Sequence, residues 1–226
     1  MFRNLFMIVV IGLGGVAILV WLGTWQVQRL QWKQSVLSEI EARIVADPMP
    51  LPVVPDTETD KYLPVTATGE IGEGLFEVLT SRKEVGAGHR LVVPFETDGR
   101  RVLLDLGFLP QGSAVPEMPD GAITVTGNLH WPDEVDGFTP DPDLATGLWF
   151  ARDVPAMAEV MKTEPVMIVR RDGGDLPGVT PWPVGTEGIP NDHREYAITW
   201  FSLAAIWLAM TVFLVYRRRK PEGDTA

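Results

Sequence analysis

Apolar residues are spread unevenly along the chain, and the unevenness comes in blocks. From Asn4 to Gln28 no residue carries a charge, and Leu5 to Trp25 forms a 21-residue apolar centre. At about 1.5 Å per residue, a helix of that length covers roughly 31 Å, the thickness of a bilayer's hydrocarbon core. A second uncharged run of 21 residues, Tyr196 to Tyr216, stops against Arg217, Arg218, Arg219 and Lys220. Aromatic residues stand near the ends of both runs, Trp21 and Trp25 in the first and Tyr196, Trp200 and Tyr216 in the second, as at membrane interfaces. The pattern predicts two transmembrane helices. Gly12, Gly14 and Gly15 would permit close helix contact, and lipid-facing flexibility accounts for them equally well. The first run exceeds a signal-peptide core and continues into Trp-Leu-Gly-Thr-Trp-Gln without a small-x-small site, so it reads as an uncleaved anchor.

Between the spans the periodicity changes twice. Leu30, Leu37, Ile40, Ile44 and Val45 recur at helical spacing with no Gly or Pro until Pro48, so the first helix is expected to continue through about residue 46. Four prolines between Asp47 and Pro55 then mark a loop. Short β-rich runs follow at 62–71, 75–80, 90–96, 101–109 and 122–131, with further candidates at 149–151 and 166–170. Asp98-Gly99 is a hairpin signal. Pro94 inside its run predicts an edge or a bulge. Residues 154–162 predict one short helix, capped by Asp153, with Ala156, Met157, Val160 and Met161 as its buried face. Met157 and Met161 are read as core filler rather than copper ligands. Residues 172–190, rich in Gly and Pro, read as a connecting loop. The expected fold is therefore a membrane protein with two transmembrane helices flanking a mainly antiparallel β (α+β) extracytoplasmic domain. The expected divisions are 1–28, N-terminal transmembrane helix; 29–190, extracytoplasmic domain; 191–216, C-terminal transmembrane helix; and 217–226, basic cytoplasmic tail.

Charge sharpens this picture. The 226 residues carry 19 Lys and Arg against 30 Asp and Glu, a formal net charge of −11, and the segment between the spans is more acidic still, with 28 acidic and 14 basic side chains in residues 27–195. A nucleic-acid binder would need a basic face, so that class is set aside. The absence of cysteine removes disulfide scaffolds and thiolate metal sites. The four basic residues at 217–220 hold the C-terminus in the cytoplasm, and two spans then place the N-terminus there too, although Arg29, Lys33 and Arg43 follow the first span on the outer side. The lack of an Arg- and Ser-rich leader favours a bacterial cytoplasmic (inner) membrane, with the main domain in the periplasm, over a mitochondrial inner membrane.

Candidate chemistry is sparse. His89, His130 and His193 are far apart, without metal-site spacing. Nucleophile elbows, phosphate loops and dinucleotide fingerprints are missing, and Glu70, Glu73 and Glu77 read as solvated charge, so an enzyme is not indicated. His193 stands out by position. Asp192 and Glu195 match a capping box that would start the second helix at His193. His193, Tyr196, Ala197 and Trp200 then share one side at i, i+3, i+4 and i+7. The first span ends at the same boundary with Trp25, Gln26 and Arg29. A flat, apolar, anionic ligand such as a haem would suit that place: His193 on the iron, Trp25, Tyr196 and Trp200 against the macrocycle, Arg29 or Arg194 on the propionates. An ordinary belt of interfacial residues explains the same pattern.

Four blocks resemble a known family. Residues 22–33 (LGTWQVQRLQWK) resemble the segment that closes the first span of the Surfeit locus protein 1 family, the cytochrome c oxidase assembly factors. Residues 86–95 (GAGHRLVVPF) resemble its central block, residues 125–129 (VTGNL) a later strand, and residues 191–201 (NDHREYAITWF) the signature that opens its second span. The resemblance covers nearly the whole chain. It implies a non-enzymatic membrane factor that helps build the haem-bearing catalytic subunit of a haem–copper oxidase. It also implies haem a binding near the membrane surface, with His193 as iron ligand, and haem a synthase and membrane lipid as further partners. The rival expectation within the family is a scaffold that holds oxidase subunits or the synthase together and carries no cofactor. One departure stands out: where the family reads Asn-Arg-Gly-Trp-Val-Pro, this chain has Asp105-Leu106-Gly107-Phe108-Leu109-Pro110. The basic residue and the indole are lost, which puts a partner-binding role of that turn in doubt.

Overall fold

The computed structural model describes residues 2–83 and 85–219, so the expected basic tail from Lys220 onward lies outside the described residues. In chain order the elements are α1 (Phe2–Ile44), β1 (Met49–Pro50), β2 (Pro64–Ile71), β3 (Phe76–Arg82), β4 (Gly86–Thr97), β5 (Arg100–Pro110), β6 (Ile123–Leu129), β7 (Leu148–Trp149), α2 (Val154–Met161), β8 (Met167–Gly173) and α3 (His193–Arg219). Two compact units result. One holds the chain up to Glu39 together with the chain from Glu187 onward, and the other holds Ile40–Thr186.

In the first unit α1 and α3 are each long and apolar enough to cross a membrane. They pair antiparallel, and glycine makes the pairing close. A Cβ on Gly12 would lie 2.9 Å from Cβ of Thr211, one on Gly15 2.5 Å from Nε1 of Trp207, and one on Gly23 2.8 Å from the Phe201 ring, whereas one on Gly14 would meet nothing. Two of the three glycines singled out in the sequence thus serve the seam, and the third does not. Ala197 and Ala204 of α3 are buried, as small residues at a helix–helix contact should be.

The second unit is an α+β domain built on a mixed, mostly antiparallel sheet. Along the sheet the strands run β1-β2-β6-β8-β5-β4-β3-β7, and β2 also pairs with β4, which closes β2, β6, β8, β5 and β4 into a ring of five. The parallel contacts are β1–β2, β3–β7 and β5–β8. Strands with both faces covered lose the apolar–polar alternation and read as continuous hydrophobic runs. Successive residues of β4, β5 and β8 accordingly go to opposite cores. Leu91, Val93, Val102, Leu104 and Ile168 fill the ring, while Val92, Leu103, Met167 and Val169 pack outside it against α2 and Trp149. Closure demands a glycine: Gly69 of β2 lies opposite Thr97 of β4, and a Cβ there would overlap the Glu96 carbonyl. Asp98 and Gly99, at φ 50° and 72°, form the expected β4–β5 hairpin turn.

Three local expectations need correction. Pro94 lies neither at an edge nor in a bulge. It occupies the gap where β4 leaves β3 (last pair Phe76–Val92) and takes up β2 (first pair Ile71–Phe95), a place where its missing N–H is not needed; the bulge comes earlier, between Leu91 and Val92. Helix α2 is capped by Asp153, whose carboxylate accepts from Ala156 N at 3.1 Å, but it buries Val154, Met157, Ala158 and Met161, leaving Val160 exposed, because eight residues settle against the sheet on one face only. Finally, residues 105–110 form no turn. They continue β5, with Asp105, Leu106, Phe108 and Leu109 buried, so the departure from the family pattern lies inside the domain.

Asp105 anchors an ionic group there. Its Oδ2 accepts from Arg90 Nε at 2.6 Å and Arg152 Nη1 at 3.2 Å, its Oδ1 accepts from Gly107 N at 3.0 Å, and Arg152 is also paired to Glu134. Arg90 donates in turn to the Trp182 carbonyl at 2.7 Å and lies 4.8 Å from that indole ring. Burial works against the charge of Arg152 and of Glu134, but their mutual bonding outweighs it, raising the first group's pKa and lowering the second's. Such a buried group adds little net stability over an apolar one, yet removing one member costs about 3–5 kcal/mol. Arg170, fully buried, donates to the carbonyls of Leu106, Gly173, Gly174 and Val179, tying the chain after β8 to the ring. The last turn of α1 is received by the domain: the Ile44 carbonyl accepts from Asn128 Nδ2 and Arg171 Nη1, both at 2.9 Å.

Candidate functional site

The site read from the sequence belongs to the helix pair, where α1 passes Trp25 and α3 begins. The start of α3 falls on His193, as expected, with the Asp192 carbonyl accepting from Glu195 N at 3.1 Å and Tyr196 N at 3.2 Å. The reciprocal side-chain bonds of a capping box do not form between Asp192 and Glu195 among the described residues, so the backbone carbonyl alone starts the helix. Position N1 fixes the direction of the His193 side chain relative to the axis, and Ala197, one turn on, is buried.

His193 Nδ1 lies 2.8 Å from Oε1 of Gln26. Gln26 is only 8% exposed, and this bond pairs the oxygen of its buried amide. Nε2 of His193 makes no hydrogen bond to protein among the described residues. The imidazole is half-buried and can reach a ligand.

The other candidate residues are less tightly organised. Trp25 is 48% and Tyr196 56% exposed, Trp200 is half-buried, and no ring contact joins the three among the described residues. The Arg29 guanidinium lies 4.0 Å from the Trp32 ring, one turn further along α1, so its flat face is covered while its N–H edge stays open. Arg194 is exposed in the first turn of α3. An apolar groove of about 360 Å³ flanks the same seam, lined by Gly15, Ile18, Leu19, Leu203, Ile206, Trp207 and Met210, at least ten residues further along α3 than the imidazole. The structure therefore joins His193 to Gln26 and leaves Trp25, Arg29, Arg194, Tyr196 and Trp200 around them as open neighbours.

The remaining histidines sit in the second unit. His89, in β4, lies with Nδ1 3.5 Å from Glu77 across the β3–β4 pair. His130 stacks on Tyr62 with ring centroids 5.4 Å apart, and its pKa is pulled from 6.5 to about 4, first by burial and then by Arg152 and Lys61. Among the described residues no three His, Asp or Glu side chains gather as a metal site would require. Gln26, placed by the sequence at the same boundary but given no role in the site, turns out to be the partner of His193. Its only signal was a strong hydrogen-bonding group inside an uncharged helix, which is costly unless satisfied.

Comparison with known proteins places these features in a family. A family model described as the SURF1 family matches residues 13–205, a stretch that takes in both helices' facing ends and the whole sheet. Surfeit locus protein 1 of Rattus norvegicus is 29% identical over 223 residues, covering 87% of this chain and 71% of that protein. The human protein of the same name is 29% identical over 211 residues, with 81% and 69% covered. A SURF1-like protein from Monosiga brevicollis is 32% identical over 221 residues, with 88% and 83% covered.

Proposed function

Because the chain belongs to the SURF1 family, we propose that it assists the assembly of a haem–copper terminal oxidase in a bacterial cytoplasmic membrane, binding haem a and passing it to the catalytic subunit. The oxidase and the haem come from the family resemblance. What carries the haem reading onto this chain is the His193 imidazole, half-buried at the head of α3 with Nδ1 engaged and Nε2 without a protein partner among the described residues.

The residues present fit such a cofactor. When bound, haem a supplies a flat apolar macrocycle, an iron that takes an imidazole nitrogen, and two propionates. On the protein side, His193 offers Nε2 to the metal. Trp25, Tyr196 and Trp200 offer aromatic surface that is at least partly free. Arg194 and the open edge of Arg29 offer N–H donors to carboxylates. The half-open setting suits a carrier, which must release its cargo to a partner. Haem a synthase as donor and the oxidase's catalytic subunit as acceptor complete the route.

The test is the absorption spectrum of the detergent-purified protein from cells that make haem a. His193→Ala should lose most of the bound haem, and His89→Ala should keep it, each variant being matched for membrane yield. A full haem spectrum in His193→Ala would overturn the carrier reading. Oxidase subunits that copurify with pigment-free wild-type protein would establish the scaffold instead.

A further inference from the structure

We propose that Gln26 is the positioning residue of this site: by accepting a hydrogen bond from Nδ1–H of His193, it fixes the neutral imidazole in the tautomer whose Nε2 lone pair is turned out to a ligand. The inference rests on the haem reading for its purpose, but not for its geometry.

A neutral imidazole carries one proton, on Nδ1 or Nε2, and the nitrogen without it is the one that can bind a metal. Free histidine prefers the Nε2–H form, which would present a donor rather than a lone pair at the open side. Gln26 Oε1 can only accept. At 2.8 Å from Nδ1 it requires the proton there, and Nε2 is left as the free base. The preference of the isolated side chain is thereby reversed before any ligand arrives.

Burial makes the constraint firm. Gln26 is 8% exposed, so water competes poorly for its carbonyl, and an unpaired amide in this setting would be costly. The two residues come from opposite ends of the chain and meet on the facing sides of α1 and α3, next to buried Gly23 and Ala197. The bond therefore fixes the plane of the ring as well as its proton. Gln26 acts through His193 and does not touch the ligand itself. Partners of this kind around histidine ligands typically affect metal affinity by about 10–100-fold.

The experiment uses the full chain in lipid nanodiscs, ¹⁵N-labelled at histidine and free of haem. Long-range ¹H–¹⁵N correlation is recorded at alkaline pH, where the ring is neutral. The His193 signals are identified by their loss in His193→Ala. The wild type should show a protonated Nδ1 and a pyridine-like Nε2. Gln26→Glu, which keeps the acceptor, should show the same, and Gln26→Leu, which keeps the bulk but not the oxygen, should revert to the Nε2–H form. With haem added, Gln26→Leu should bind about tenfold more weakly or worse, and Gln26→Glu should restore the wild-type affinity. An Nε2–H tautomer in the wild type would overturn the proposal, since the Gln26 amide would then be donating through its nitrogen. So would an unchanged tautomer, or an unchanged haem affinity, in Gln26→Leu. If the wild type shows the expected tautomer but takes up no haem, the haem reading falls and the positioning role stands for some other ligand. If Gln26→Leu does not insert, the wild-type spectrum decides alone.

Discussion

His130 shows at the scale of one residue how position changes chemistry. Its Nδ1 is buried without a hydrogen-bond partner among the described residues, and Arg152 and Lys61 oppose a further positive charge, with Arg90 adding to them and Glu134 only partly compensating. The folded protein therefore holds this histidine neutral down to about pH 4, whereas the unfolded chain protonates it near 6.5. A pKa depressed on folding gives stability that is complete above the unfolded value and is lost as pH falls towards the folded one. The loss should amount to at most about 3 kcal/mol between pH 6.5 and 4. Guanidinium midpoints of the full chain in detergent should fall across this range, and His130→Gln should flatten the fall; an equally steep fall in the variant would assign the acid sensitivity elsewhere. Little of this was legible beforehand. Arg90, Asp105, Glu134 and Arg152 come from four separate segments, and nothing local marks them as partners. An isolated Asp105 between leucines was the one hint, since a charge in a buried strand must find a counter-charge.

At the scale of elements, local pattern carried much of the outcome. The strand positions other than β1, which falls at Met49–Pro50 in the stretch read as a loop, the Asp98-Gly99 turn, the Asp153 cap and the start of α3 follow from period, turn chemistry and capping, which are properties of neighbouring residues. The facing of α2 did not follow, because which stripe of a short helix is buried depends on the sheet beneath it. The glycines of α1 divide the same way: sequence supplies three, and only the partner helix shows that Gly12 and Gly15 are at the seam while Gly14 is not. This gives a matched pair of substitutions. Gly12→Leu must displace Thr211, which branches at Cβ and cannot swing aside, so it should destabilise the helix pair by about 1–3 kcal/mol. Gly14→Leu enters open space and should be neutral within about 0.5 kcal/mol. Thermal melts of the two variants in the same detergent compare them directly, and equal melting points would show that the seam does not form as described.

At the scale of the whole molecule, the membrane decides what each part can do. Arg217 and Arg218 close α3, and positive residues beside a span stay in the cytoplasm. Alkaline-phosphatase fusions at Gly121 should therefore be active and fusions after Lys220 inactive. Arg29 and Lys33 pull the other way, which is why the measurement is informative; the reverse pattern would overturn the proposed periplasmic placement of residues 27–195 and of His193. The order of strands in the sheet was the least legible feature. Seven short β-rich runs admit many pairings, and the partners that define this fold, β2 with β4 and β8 between β5 and β6, are distant in the chain.

That order has a consequence for the making of the protein. The last strand to be synthesised, β8, is not at the rim of the sheet but in its middle, parallel to β5 on one side and antiparallel to β6 on the other. Until Met167–Gly173 has left the ribosome, β5 and β6 each show a bare row of amides and carbonyls, the kind of edge that recruits stray strands. A growing chain must be kept apart from its neighbours during that interval, and a chain cut short before β8 never leaves it. Closure of the ring thus marks a finished domain, and an open ring leaves it with the unpaired edges of an incomplete one.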